Sequence, residues 1–73
     1  MALVNMKAEI TGKVWKIEKK VGDRVEEEDE VIILESMKME IPLGAPQAGV
    51  IKEILVAEGD SVSEGQDIAV LEV

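Results

Sequence analysis

The chain contains no cysteine, histidine, phenylalanine or tyrosine among its 73 residues. These absences exclude a disulfide, a thiolate nucleophile, a Ser–His pair and a zinc site of the usual kind, and the lack of cysteine favours a cytoplasmic location. The longest apolar run of interest is Val31 to Leu34, so no membrane span is expected. The N-terminus also lacks the basic start and long apolar stretch of a signal peptide.

Positive charge is scarce as well. Eight Lys and Arg oppose 16 Asp and Glu, which gives a formal net charge of −8. This charge would repel nucleic acid and anionic membranes, so neither is an expected partner. The acidic run at 26–30 lacks the alternating spacing and glycine of a calcium-binding loop, and it predicts a solvated face.

The apolar residues that are present are mostly β-branched. The chain has ten Val and eight Ile, and Trp15 is its only aromatic residue. Stiff branched side chains favour pleated sheets, and the length predicts one domain over residues 1–73. The alternative of a helix over 24–40 is disfavoured, because its consecutive acids would repel each other. The pattern predicts an all-β fold of about eight strands, near 3–8, 13–19, 24–26, 30–36, 39–43, 50–56, 61–63 and 67–73.

An internal repeat is the most informative feature of the sequence. Residues 12–35 and 49–72 align at an offset of 37 without gaps, and both copies keep a Gly-Asp turn between two branched runs. One copy is too small to bury a face, whereas two facing copies can enclose a core between two short antiparallel sheets. This arrangement predicts approximate two-fold symmetry and a monomer, with the termini at the end opposite Lys38. Trp15 matches Lys52, so it is expected outside the shared core, as a surface ring or a partner contact.

Between the two copies lies the segment that carries candidate chemistry, Glu35-Ser36-Met37-Lys38-Met39-Glu40-Ile41. It follows one predicted strand and precedes another, which predicts a tight hairpin with Lys38 at its tip. Turn residues are normally polar or glycine, so two Met in this place are unusual. Exposed Met side chains form a soft, polarizable surface of the type that binds partners; a packing role for both Met is the alternative.

Met-Lys-Met in a hairpin, preceded by Leu-Glu and followed by an Ile-Pro strand, resembles the biotinyl/lipoyl attachment domain. The resemblance covers essentially the whole chain and is greatest to biotin carboxyl carrier domains and small free-standing biotin/lipoyl attachment proteins. It implies a flattened β-barrel, a sandwich of two four-stranded antiparallel sheets with the attachment lysine on a hairpin tip. Met on both sides of the lysine is characteristic of the biotin form, whereas lipoyl domains usually have Asp before it and Ala after it.

The resemblance implies a non-catalytic carrier. Biotin protein ligase would join biotin covalently to Lys38, and the carrier would move a carboxyl group between a biotin carboxylase and a carboxyltransferase. Two alternatives stay open: a lipoyl carrier, with lipoate on the same lysine and an acyl or aminomethyl cargo, and an unmodified β module that binds partners through its Met-tipped hairpin. An independent enzyme is not expected, because no nucleophile, base and pocket can be assembled. The residues expected to be recognised by the ligase are Glu35, Ser36, Met37, Met39 and Glu40.

Overall fold

A computed structural model describes residues 2–73, which form eight β-strands. This part of the chain contains no helix, and therefore none that is long and apolar enough to cross a membrane. The all-β prediction is confirmed, and the helical alternative for 24–40 is wrong, since that segment contributes three strands. The strands are β1 (Leu3–Lys7), β2 (Gly12–Ile17), β3 (Arg24–Val25), β4 (Glu30–Ser36), β5 (Met39–Gly44), β6 (Gly49–Ile54), β7 (Ser61–Val62) and β8 (Asp67–Glu72).

The strands pair into two four-stranded antiparallel sheets related by a pseudo-two-fold axis. We call β5-β4-β2-β7 the hairpin sheet and β1-β8-β6-β3 the terminal sheet. Shifting residue numbers by the repeat offset of 37 converts one strand order into the other. The bulges correspond too, because the register shifts between Val14 and Lys16 on β2 and between Ile51 and Glu53 on β6. The sandwich with quasi-two-fold symmetry is confirmed.

Four similar turns join the short strands to their neighbours. In each turn a side-chain oxygen of the fourth residue accepts the backbone N–H of the first, at 2.8–3.0 Å. The third residue has a positive φ, which favours glycine; it is Gly in three turns and Glu28 in the other. The repeat predicted two of these as Gly-Asp turns, and the structure adds their relatives at 26–29 and 63–66. The four turns span residues 20–23, 26–29, 57–60 and 63–66.

Apolar side chains from the inner faces of both sheets form one hydrophobic core. Equivalent positions of the two copies are buried together, as Leu34 with Leu71 and Val14 with Ile51. Within residues 2–73 no polar or charged side chain is buried. Burying one Leu or Ile side chain contributes about 1.5–3 kcal/mol relative to leaving it exposed. The inner residues of β4 and β5 therefore hold the segment on either side of Lys38 in a fixed register.

The hairpin tip and the Ala2–Val73 pair lie at opposite ends of the structure, as the symmetry requires. The structure measures 37 × 17 × 17 Å. Strand β5 runs from Met39 at the tip to Gly44. Its counterpart β1 lies between Leu3 and Lys7, and Ala2, which precedes it, pairs with Val73 through two backbone hydrogen bonds. Gly44 and Lys7 line one cleft near the axis, and β5 on one side and β1 with Ala2 on the other each cover about 17 Å at about 3.4 Å per residue. The tip therefore lies at one end of the long dimension and the Ala2–Val73 pair at the other.

Candidate functional site

Lys38 lies in a two-residue turn that joins β4 to β5. Ser36 pairs with Met39 immediately below the turn, and Glu35 pairs with Glu40 one step further down. The two turn residues, Met37 and Lys38, have φ values of 51° and 63°. Positive φ at both central residues is the geometry of a type I′ turn, whose twist matches that of the flanking strands. All six residues singled out from the sequence are thus neighbours on one hairpin.

The turn is built from residues that disfavour its backbone conformation. Type I′ turns normally contain Asn, Asp or Gly, and a left-handed conformation costs other residues about 1–2 kcal/mol each. Here Met37 and Lys38 both adopt it. The register below the turn enforces this conformation, because Leu34 is fully buried and Ile41 packs against the core. Strain of this kind persists where the surrounding structure over-determines it, and it is concentrated at functional sites.

Gly12 supports the base of the hairpin from the neighbouring strand β2. A Cβ at Gly12 would lie 2.8 Å from the carbonyl oxygen of Glu35 and 3.4 Å from the Cβ of Ser36. Such a distance leaves no room for any larger residue, so the main chains of β2 and β4 can approach each other only with glycine here. The sequence signal for this contact was the identity of Gly12 with Gly49 in the second copy.

The side chains at the tip project into solvent. Met37 is 90 % exposed and Met39 is 59 % exposed, so neither belongs to the core. Lys38, Glu35 and Glu40 are also exposed, and Ser36 is half-buried. The ion pairs within 4.0 Å among residues 2–73 are Lys7–Asp67 and Lys16–Glu18. The Lys38 amine is therefore approachable from outside and is engaged in neither of those pairs.

The surroundings of Lys38 suit an acceptor of a covalent group better than a catalyst. A nucleophilic lysine requires a desolvated pocket or a cationic neighbour, either of which makes its ammonium easier to deprotonate. The Lys38 side chain is instead exposed between two Met. A cleft of about 240 Å³ exists elsewhere, in the middle of the structure, where Lys7, Glu9, Glu28 and Pro46 contribute to its lining. An amine on an exposed tip fits a carboxylic-acid cofactor attached through an amide bond.

The acidic run of 26–30 forms a turn. Asp29 accepts the N–H of Glu26 at 2.8 Å and closes one of the four turns. No group of three or more Asp or Glu side chains within residues 2–73 is arranged to hold a metal ion. The run therefore forms an exposed turn that leads into β4.

A family profile described as "Biotin-requiring enzyme", the biotin/lipoyl profile, matches residues 4–71 of the chain. The chain belongs to the biotin/lipoyl attachment family. The match spans both copies of the repeat and the hairpin between them, so membership in the family rests on the whole fold and not on the Met-Lys-Met segment alone.

Known members of this family include small proteins of comparable length. The biotin/lipoyl attachment protein of Bacillus subtilis is 51 % identical over 57 residues, which is 78 % of this chain and 78 % of that protein. The biotinylated protein TB7.3 homolog of Mycobacterium leprae is 39 % identical over 67 residues, which is 92 % of this chain and 94 % of that protein.

Other biotin/lipoyl relatives are large proteins of which the chain matches only a small part. The crystal structure of Kluyveromyces lactis urea carboxylase superposes with a TM-score of 0.92 at 40 % identity, over 99 % of this chain and 6 % of that one. A probable dihydrolipoyllysine-residue succinyltransferase component of the Schizosaccharomyces pombe 2-oxoglutarate dehydrogenase complex is 44 % identical over 54 residues, 74 % of this chain and 12 % of that protein. Both biotin and lipoyl proteins are thus similar to this attachment domain.

Proposed function

We propose that this chain is a biotin carboxyl carrier in which the Nζ atom of Lys38 is the attachment point. The observation that carries the proposal is the exposed amine of Lys38 between two exposed Met, on a strained turn that the buried part of the hairpin holds in place. The similarity to a biotinylated protein and to a urea carboxylase supports biotin as the cofactor.

Attachment forms one amide bond. The Lys38 ammonium gives up a proton to a base of the biotin protein ligase, and its nitrogen attacks the acyl carbon of an activated biotinyl adenylate. The bond between that carbon and the phosphate oxygen breaks, AMP leaves, and the acylated nitrogen releases its second proton to solvent, which gives the neutral amide. The chain has neither His nor Cys to act as the base in this step, and the carboxylates next to the tip, Glu35 and Glu40, are exposed to solvent. Its own contribution is to present the amine, with Glu35, Ser36, Met37, Met39 and Glu40 as the surface that the ligase recognises.

After attachment the chain serves as a carrier and not as an enzyme. Biotin attached to Lys38 would supply the carboxyl-transfer chemistry, and the hairpin would hold and deliver it. The partners of this cycle are a biotin carboxylase and a carboxyltransferase. Because the tip lies at one end of a structure 37 Å long, the arm reaches two active sites without the barrel having to enter either. Tethering also raises the local cofactor concentration to the order of mM.

A lipoyl carrier is the second candidate, and the similarity to a dihydrolipoyllysine-residue succinyltransferase component favours it. The same exposed lysine would accept lipoate through the same kind of amide bond. The residues next to Lys38 favour the first candidate, since Met on both sides of the lysine is characteristic of the biotin form. An unmodified β module is the remaining interpretation, in which the Met-tipped hairpin itself binds a partner.

Intact mass spectrometry of the protein purified from its native host tests the proposal. Biotin and lipoate add different masses, and an unmodified module has no added mass. Lys38→Arg keeps the charge and is expected to abolish the addition while the protein stays folded. Lys52→Arg is the matched control, because Lys52 is exposed on the other sheet and should retain the addition. A biotin mass that persists in Lys38→Arg would contradict the site, and a lipoate mass in the native protein would favour the second candidate.

A further inference from the structure

The outer face of the hairpin sheet carries an apolar row that the core does not need. Ile33 on β4 pairs with Pro42 on β5, and the bulge that contains Trp15 on β2 lies opposite Ile33. Both sequence neighbours of Ile33 are fully buried, so Ile33 points to the outer face. Trp15 is 46 % exposed and Pro42 is also exposed. We call Trp15, Ile33 and Pro42 the outer row.

The pseudo-symmetry provides an internal comparison for this row. The equivalent positions on the terminal sheet are Lys52, Val70 and Asn5, which carry a single apolar side chain between two polar ones. Both sheets have the same bulge at this place, so this bulge geometry accommodates Lys at the position equivalent to Trp15. The only aromatic residue of the chain therefore occupies a site where packing does not require it, on the sheet that contains Lys38.

The charged side chains around the outer row have the arrangement of an interface rim. Lys13, Glu35 and Glu40 pair across three strands on the side of the row toward the tip, and Lys16 flanks Trp15. All four are exposed. An apolar centre, rich in aromatic residues and surrounded by charges of both signs, is the usual composition of a protein–protein interface.

We propose that the outer row is the docking surface for the ligase that acylates Lys38, an inference that rests on the proposed function. A protein partner typically covers about 800 Å² of its target, roughly a fifth of the 4468 Å² surface of this structure. The two turn residues alone cannot supply that area. Pro42 lies three residues from Met39 on β5, about 10 Å at 3.4 Å per residue, so a partner that holds the tip meets the row on the same sheet.

Pro42 also determines how this partner approaches. Strand β5 is at the edge of the hairpin sheet, where an added strand would normally pair with its free backbone groups. Proline has no N–H to donate to such a strand. An added strand would lack this hydrogen bond at Pro42, which favours contact through side chains on the face of the sheet.

Steady-state acylation with the carrier as the varied substrate tests this docking. Trp15→Lys installs the residue that the symmetry-related site already tolerates, and Lys52→Ala on the terminal sheet is the matched control. Trp15→Lys is expected to lower kcat/KM by about tenfold or more, the usual effect of losing an interface aromatic, through KM and with kcat within about twofold. Lys52→Ala should match the wild type. An unchanged KM for Trp15→Lys, or a loss confined to kcat, would overturn the docking surface.

A second measurement follows binding without chemistry. The Lys38→Met variant, labelled with 5-fluorotryptophan, has one fluorine resonance, because Trp15 is the only Trp. Added biotin protein ligase should shift or broaden this resonance, and an unaffected resonance would count against the docking surface. If biotin protein ligase does not acylate the wild-type chain, the proposed function itself is overturned. If it acylates the wild type and Trp15→Lys with equal KM, only the docking surface is overturned.

Discussion

Gly12 lies against the main chain of Glu35, so closely that a Cβ at position 12 would be 2.8 Å from the Glu35 carbonyl oxygen. The same relationship exists at the other end of the structure, where a Cβ at Gly49 would be 2.6 Å from the carbonyl oxygen of Glu72. The two glycines thus bring β2 and β6 close to the strands that lead to the hairpin tip and to the Ala2–Val73 pair, respectively.

Gly12→Ala should therefore affect both stability and acylation. We expect a loss of about 1–3 kcal/mol in the free energy of unfolding, because overpacking forces the backbone to shift, and slower acylation of Lys38. Gly49→Ala should be destabilised to a similar extent and yet be acylated normally, since its clash lies far from the tip. Urea unfolding and acylation rates, measured where both variants are folded, check this. Equal acylation of the two variants would be inconsistent with a supporting role for Gly12.

Met37→Gly should make the protein more stable and a poorer substrate. Glycine adopts a positive φ without steric cost, so the relief of about 1–2 kcal/mol exceeds the entropy cost of about 0.5–1 kcal/mol for fixing a glycine. The expected net gain is about 0.5–1 kcal/mol in urea unfolding, with slower acylation because the exposed Met side chain is lost. Met39→Gly is the control, since Met39 lies in β5 without a positive φ and its replacement should destabilise. A destabilised Met37→Gly protein would show that the turn is not strained.

Glu28 and Gly65 occupy the same place in two symmetry-related turns and should respond to substitution in opposite directions. Their φ values are 74° and 86°. Glu28→Gly is expected to raise the free energy of unfolding by about 0.5–1 kcal/mol, and Gly65→Ala to lower it by about 1 kcal/mol. Because no atom lies within 4 Å of a Cβ at Gly65, the loss there reports backbone conformation alone. Chemical denaturation measures the free energy of unfolding of both variants. Changes of the same sign in the two variants would refute the explanation by backbone strain.

Asp67 makes the stability of the terminal sheet depend on pH. The hydrogen bond from the Lys7 ammonium is the main cause that lowers the pKa of Asp67 from its ordinary value of 3.8, and Asn5 also donates to this carboxylate. A lowered pKa in the folded state means that the ionised carboxylate stabilises the fold above the unfolded pKa. This contribution is lost as the pH falls through the folded value, which lies below 3.8.

The wild type should therefore lose stability more steeply than Asp67→Asn as the pH falls below about 5. Thermal unfolding at a series of pH values measures this difference. Lys7→Met should abolish most of the difference, and 1 M salt should reduce it, since the pair is exposed and screened. Parallel pH profiles for the wild type and Asp67→Asn would show that the pair does not contribute to stability.

The positions of the strands and of Lys38 were predictable from local patterns. Runs of Val and Ile interrupted by Gly-Asp signals gave all eight strands to within about two residues. The offset of 37 anticipated the symmetry, since a half-size repeat can bury its apolar face only against its copy. The hairpin at Lys38 followed from its place between two such strands.

The backbone conformation of the turns was less accessible to sequence reasoning. Met37, Lys38 and Glu28 all adopt a positive φ, which their own preferences oppose. Strand pairing on either side imposes that conformation, and pairing depends on partners that are distant along the chain. Pattern-based reasoning favours glycine at such positions and therefore missed the strain at the tip and the turn at 26–29.

By itself, the sequence determined which residues form strands, where the chain reverses and which lysine stands at a tip, because hydrophobic period and turn chemistry act over a few residues. Only the tertiary structure decided that Gly12 touches Glu35 and that Trp15, Ile33 and Pro42 form a row. These residues come from different strands, and a one-residue change in register or a missing bulge would turn them to other faces. Register and bulges are set by how the whole core packs, which no single segment encodes.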